Sequence, residues 1–308
     1  MKKALALLMT VALFACSFAA CQQNETPDPT PAQQDQNNGQ SNEQPSQPDN
    51  SAQPSGAQKE SVVWAQPSDI TSLDFHVGKN PASFAVTCNI FDTLVTWDAE
   101  NKVIPHLASE WEFVDEDSLQ LKLREGVLFH DGEELTAEDV QYTLTRAKNS
   151  TIVKNNFSWL DSVDVVDEYT VVVNTIGAYA PVLNALCNPL AGIMPKHLLE
   201  ADDEAMAKNP VGTGPFKFVE RKEGEYVKME ANESYWNGTV ASKYLEMRVV
   251  PEASQRATLL ETDEIDIAYD MLASDVERLN SGEKATVLSA PSFKVFYLTC
   301  LLYTSDAA

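Results

Sequence analysis

The chain has 308 residues, 44% of them hydrophobic, enough to bury a sizeable core in one or two domains of ordinary size, which excludes a small stapled scaffold. Its formal charge is -24, from 22 Lys plus Arg against 46 Asp plus Glu. Sequence-independent nucleic-acid binding neutralises phosphates with a basic surface, so the charge argues against that class and against anionic partners in general.

Two lysines follow Met1, and an apolar run from Ala4 to Ala20 ends in small residues before Cys21. This is the pattern of an export signal. The run is marginal for a hydrocarbon core of about 30 Å, which takes roughly 20 apolar residues. No Lys or Arg follows it before Lys59 to stop transfer. Phe18-Ala19-Ala20-Cys21 resembles the bacterial lipobox, whose Cys is lipidated and becomes the new N-terminus, although an aliphatic residue is usual where Phe18 stands. Leu13-Phe14-Ala15-Cys16 is a weaker competitor, and an ordinary cleaved signal is the remaining alternative. A lipoprotein signal is therefore expected at 1–20 with lipidation at Cys21, where each buried methylene of the acyl chains contributes about 0.8 kcal/mol of anchoring.

Residues 21–60 are expected to form a disordered tether. From Gln22 to Gln58 there is no aromatic residue and there are six prolines, so too little apolar surface is available to offset the entropy of ordering. Its mean reach is about 35 Å.

The folded part begins at Ser61. SVVWAQ reads as a strand ended by Pro67-Ser68-Asp69, and apolar residues near 3.6 spacing predict a helix from about Ala82 to Leu94. LQLKL alternates as a strand, HDG is a turn, and Thr136 with Asp139 at capping-box spacing opens a helix to about Lys148. YTVVVN reads as a strand and PVLNALC as a short helix; FKFVE and EYVKMEA are strands around a turn at Arg221 to Gly224. YLEMRVV and IDIAY are further strands, alternating with helices over SQRATLLE and from Ser274 through ASDVERLN. Mixed strands and helices give an α/β or α+β class.

The order and wording of these elements resemble the extracellular solute-binding proteins of the dipeptide, oligopeptide and nickel class, the capture components of ABC importers. The landmarks are SLDFH, NIFDTLVTWD, PHLASEW, LKLREGVLFHDGEELTAEDV, SVDVVDEYTVVV, IMPKHLL, NPVGTGPFKF, MEANESYWNG, EMRVVPEASQRATLLETDEIDIA and SDVERL. Phe75, Ser109-Glu110 and Thr262-Asp263 depart locally from the family pattern. The resemblance implies the periplasmic-binding-protein type II fold. Its first lobe would span 61–299, with a core of 61–105 and 203–299 and an inserted subdomain at 106–202. After FKVFYLT the tail at 300–308 matches nothing in the family, so a second lobe is expected to be missing and a solute would lie half exposed.

The same resemblance implies a ligand cleft. Asn80, Pro81, Ala82, Ser83 and Phe84 align with a cleft-lining segment at a helix start, where N–H groups suit a carboxylate or carbonyl. Gly212, Thr213 and Gly214 re-enter the lobe near the cleft, with a tight crossover turn as the alternative role. Trp159 overhangs the cleft; core packing competes with ligand contact there and at Phe84. Tyr269, Asp270 and Met271 follow IDIA, at the strand end where open α/β sheets bind ligands.

Other chemistry is missing from the sequence. NPVGTGPFKF has Pro215 and Phe216 where a phosphate-binding loop needs Lys and a hydroxyl residue. His76, His106, His130 and His197 are scattered without metal spacing, and His130 belongs to a structural turn. Ser281-Gly282-Glu283-Lys284 matches Ser-x-x-Lys by chance, without its partner motifs. Carboxylates at Asp115 to Asp117 and Asp202 to Glu204 read as solvated surface. Cys88 and Cys187 are expected as buried free thiols, with a disulfide between them as the alternative, and Cys300 lies in the atypical tail. No cofactor, metal or enzymatic activity is expected. The expected function is a monomeric, lipid-anchored protein on the outer face of the bacterial cell membrane, capturing peptides or a related small solute for ABC permease subunits. A same-fold signal receptor or adhesin is the alternative.

Overall fold

The computed structural model describes residues 59–78, 80–282 and 285–289. The signal at 1–20, Cys16, Cys21, most of the tether, the FKVFYLT segment at 293–299, Cys300 and the tail at 300–308 lie outside them.

In chain order the elements are β1 (Ser61–Gln66), α1 (Pro81–Thr87), β2 (Val95–Trp97), β3 (Val103–Pro105), β4 (Ala108–Asp115), β5 (Ser118–Leu123) and α2 (Ala137–Asn149). They continue with β6 (Leu160–Asp167), β7 (Thr170–Thr175), α3 (Val182–Leu186), α4 (Lys196–Ala201), α5 (Ala205–Lys208) and β8 (Phe216–Lys222). The last are β9 (Tyr226–Ala231), β10 (Tyr244–Val249), α6 (Ala253–Glu261), β11 (Ile267–Ala268) and α7 (Ala273–Ser281).

Two sheets organise them. A five-stranded sheet has the order β11-β1-β10-β9-β8, with β1 parallel to both neighbours and β10, β9 and β8 antiparallel. A four-stranded antiparallel sheet has the order β4-β5-β7-β6. In the second sheet Leu119, Leu121 and Leu123 of β5 and Val171 and Val173 of β7 point into the core, while Gln120 and Lys122 between them are more exposed. That alternation is what a half-buried strand requires. The helix α2 covers this sheet with Val140, Leu144 and Ala147, all fully buried. Its start is fixed by the Asp139 carboxylate, which accepts from the Thr136 backbone N–H at 2.9 Å and hydroxyl at 3.0 Å.

Several expectations shift. The helix expected to run to Leu94 stops at Thr87, because the next carbonyls are taken elsewhere: Asn89 O accepts from Phe216 N and Ile90 O from Gly214 N, both at 2.9 Å. Cys88, expected buried, is exposed at the end of that helix, whereas Cys187 is buried, and both are free thiols. The turn expected at 221–224 lies at 223–225, with Gly224 at φ 73°. The strand over IDIAY shrinks to Ile267–Ala268, and the last helix begins at Ala273 rather than Ser274. Asp203 lies on the solvated surface as expected, its side chain 78% exposed, and there it also pairs with Arg146 at 3.0 Å.

Candidate functional site

The segment Val211 to Pro215 packs against the protein itself. A Cβ on Gly212 would stand 2.1 Å from Ile90 O, and one on Gly214 would stand 2.7 Å from the same oxygen. Only glycine allows that approach. His130 holds the segment from the other side: its backbone N–H donates to Gly212 O at 2.9 Å, and its ring bridges the two glycines. Gly212 N–H donates to Nδ1 at 3.3 Å, so the proton sits on Nε2, which donates to Gly214 O at 2.9 Å. Burial, with a smaller contribution from Lys217, lowers the His130 pKa to about 4, keeping the ring neutral.

Between the glycines, Thr213 is buried and its hydroxyl donates to Asp92 Oδ2 at 3.0 Å. Asp92 also accepts from Trp236 Nε1 at 2.8 Å and lies 3.7 Å from His106 Nε2. Burial pushes this carboxyl up, while His106 and the hydrogen bonds work against the shift. The Trp236 ring packs edge-on to His106 at 5.2 Å and under the Arg124 guanidinium, also at 5.2 Å. One buried carboxylate thus ties NIFDTL, PHLASEW, GTGP and SYW together.

A second buried cluster sits before α1. Arg146 grips both oxygens of Asp74, at 3.1 and 2.7 Å, and donates to His76 Nδ1 at 3.1 Å. The His76 proton is therefore on Nε2, facing Leu190 O at 3.1 Å, and burial lowers its pKa to about 4. This cluster anchors the chain just before Val77, which is 51% exposed. Asn80 then caps α1, its Oδ1 accepting from Ser83 N at 2.7 Å and its Nδ2 donating to Asp69 O at 3.0 Å. Ala82 and Ser83 are fully buried, and Ser83 Oγ accepts from Thr71 N at 3.0 Å. Pro81 is exposed and Phe84 half-buried, so these two offer the side-chain surface of the segment.

Trp159 is 7% exposed, stacked on Tyr179 at 5.6 Å with its indole N–H donated to Asn156 O at 2.9 Å. Tyr269, Asp270 and Met271 line a cavity of about 810 Å³ together with Ile265, Ile267 and Leu279. Tyr269 meets Trp64 edge-on at 6.3 Å. The twelve residues expected at a ligand therefore divide. Tyr269 to Met271 border open space, Pro81 and Phe84 present partial surface, Asn80 is spent on the cap, and Ala82, Ser83, Trp159 and the Gly212 to Gly214 turn are engaged in packing.

The sequence did not single out Asp92, Asp74, Arg146 or Arg256 as partners of these segments. The one signal that could have found any of them is the lone charged residue within an apolar stretch, as at Asp92. Among the described residues no group of three or more His, Cys, Asp or Glu is placed to hold a metal, and no helix is long and apolar enough to cross a membrane.

Comparison with known proteins agrees with this frame. Glutathione-binding protein GsiB of Pectobacterium atrosepticum is 30% identical over 254 residues, covering 80% of this chain and 49% of that protein. The periplasmic binding protein DppA from Helicobacter pylori, solved in complex with the peptide STSA, matches with a TM-score of 0.66 at 28% identity, over 72% of this chain and 49% of that one. AppA from Bacillus subtilis, solved with a nonapeptide, matches with a TM-score of 0.66 at 28% identity, over 72% and 46%. The chain spans about half the length of the curated relatives it matches. Its architecture is part of the type II periplasmic-binding-protein fold. Residues 102–302 match the family described as "Bacterial extracellular solute-binding proteins, family 5 Middle". With that match covering well over half of its length, the chain belongs to the family 5 bacterial extracellular solute-binding proteins.

Proposed function

We propose that this protein contributes one wall of a cleft that captures a peptide or glutathione-like solute outside the cytoplasm for delivery to ABC permease subunits. The observation that carries the reading is the shared frame with DppA and AppA, whose structures hold peptides. The wall consists of Pro81 and Phe84 at the start of α1 and Tyr269 to Met271 beyond β11; backbone at Asn80, Ala82 and Ser83 and the turn at Gly212, Thr213 and Gly214 support it, with Trp159 at its margin. Lipidation at Cys21 and the tether to residue 60 would hold a monomer at the outer face of the cell membrane. Residues 61–105 and 203–299 would act as the core of the lobe, with 106–202 as an inserted subdomain. The division of strands between the two sheets supports that arrangement.

Hydrogen exchange tests the wall. Glutathione or the peptide Ser-Thr-Ser-Ala at saturating concentration should slow amide exchange in residues 80–84 and 268–272. If neither probe protects either stretch of the folded protein, the reading fails. The anchor is tested separately: a clickable fatty acid should mark the wild type in cells and leave Cys21→Ala unmarked, and persistent label on that variant would move the assignment to Cys16 or overturn it.

A further inference from the structure

Arg256 is the largest fully buried side chain among the described residues, with 2% of its surface exposed. Arg146, also shielded, has Asp74 as a counter-ion, but no ion pair of Arg256 with a carboxylate occurs among the described residues. Its guanidinium instead donates to three carbonyls. Nη1 meets Val250 O at 2.7 Å and Pro251 O at 2.8 Å, and Nη2 meets Asp270 O at 2.7 Å. Nε is buried without a partner. A cation placed out of water and satisfied by carbonyls is expensive to keep, so a hydrophobic residue would serve better if filling space were its task.

The placement of the three acceptors shows what the guanidinium does. Val250 and Pro251 leave β10, Asp270 leaves β11, and these two strands flank β1 in the sheet. Arg256 therefore joins the two exits across the end of β1, the strand between them. Asp270 is held at φ 59°, in the left-handed region that few side chains adopt. Fixing its carbonyl fixes the peptide plane between Asp270 and Met271, two of the residues that line the cavity, directly after Tyr269, which meets Trp64 edge-on.

We propose that Arg256 is a positioning residue for the Tyr269–Met271 wall, setting its backbone so that those side chains border the cavity. This rests on the proposed function, in which the wall meets solute. A planar fork spans several carbonyls where an ammonium makes a compact point contact, so Arg256→Lys keeps the charge and loses the geometry. In Arg256→Lys, amides of 268–272 should exchange about tenfold faster while those of β8 and β9 stay near wild type, as expected for local opening. The near-ultraviolet circular dichroism of the Trp64–Tyr269 pair should weaken in parallel. Unchanged exchange at 268–272, or equal acceleration in β8 and β9, would overturn the proposal. Should Arg256→Lys fail to fold, the wild type in increasing urea decides: the 268–272 amides should open in the same step as those of α6, and earlier opening with α6 still protected sinks the idea. Titration with glutathione and Ser-Thr-Ser-Ala separates the two readings. A probe that binds the wild type should bind Arg256→Lys about tenfold more weakly, and equal affinity despite a loosened wall refutes the binding role. Binding by neither protein counts against the proposed function, and the exchange rates at 268–272 then decide the role of Arg256 by themselves.

Discussion

At the scale of single residues, the two glycines of the GTGP turn carry the strongest prediction. Gly212→Ala places a methyl 2.1 Å from Ile90 O, a backbone atom that cannot swing aside, and should destabilise the protein by about 3 kcal/mol in urea unfolding. Gly132→Ala is the control for conformation alone: it has φ 97° and nothing near its Cβ, so about 1 kcal/mol is expected. Histidines give the pH dependence. His76 and His130 both fall from 6.5 to about 4 in the fold, so the folded state favours the neutral rings. Their contribution is complete above pH 6.5 and is lost as pH falls toward 4, on the order of 3 kcal/mol for each ring. Asp92, pushed up by burial, opposes this by favouring its protonated form in the fold. Urea midpoints measured at pH 7, 5.5 and 4.5 should fall steadily, and His130→Gln should flatten the decline. A turn glycine signals either a left-handed backbone, as at 132, or a close approach, as at 212 and 214, and the sequence marked the turn without deciding between them. What the latter two approach was not legible, because Ile90 lies more than a hundred residues away and nothing local encodes the meeting.

At the scale of elements, short-range chemistry was the readable part. The Thr136–Asp139 box sets the start of α2, and Asp139→Ala should cost about 1 kcal/mol through the lost cap. Asp139 Oδ1 also accepts from Lys196 N at 2.8 Å, so the same variant should loosen the start of α4, visible as faster exchange at 196–199. Strands with clean alternation, such as β5 and β7, were evident from their residues. The outer strands β4 and β6 were not, since an edge carries Glu110, Glu112, Asp161 and Asp164 on exposed positions and its apolar count falls accordingly. The overlong helix after Asn80 failed for a different reason: the periodicity of Ile90, Phe91 and Leu94 was real, but it serves a turn at 88–90 and the segment after it, and the carbonyls of Asn89 and Ile90 in that turn bind Phe216 and Gly214.

At the scale of the whole molecule, charge and strand order dominate. A net charge of -24 sets up self-repulsion that salt screens, so raising sodium chloride from about 10 mM to about 300 mM should lift the melting temperature by several degrees. A flat or falling response would show that the acidic groups are already paired. The sheet order has a consequence in time. Strand β1, second from the edge of its sheet, is the first described strand to be made, yet its parallel partners begin at Tyr244 and Ile267. At about 5 to 20 residues per second, a nascent chain waits roughly 10 to 40 seconds between making Ser61 and making Tyr244. The antiparallel sheet of β4 to β7 is already complete in sequence by Thr175, built from neighbours that need no such wait. Throughout that interval Val62, Trp64 and Ala65 have no strand to pair with, which leaves the start of the domain open to whatever holds emerging chains unfolded.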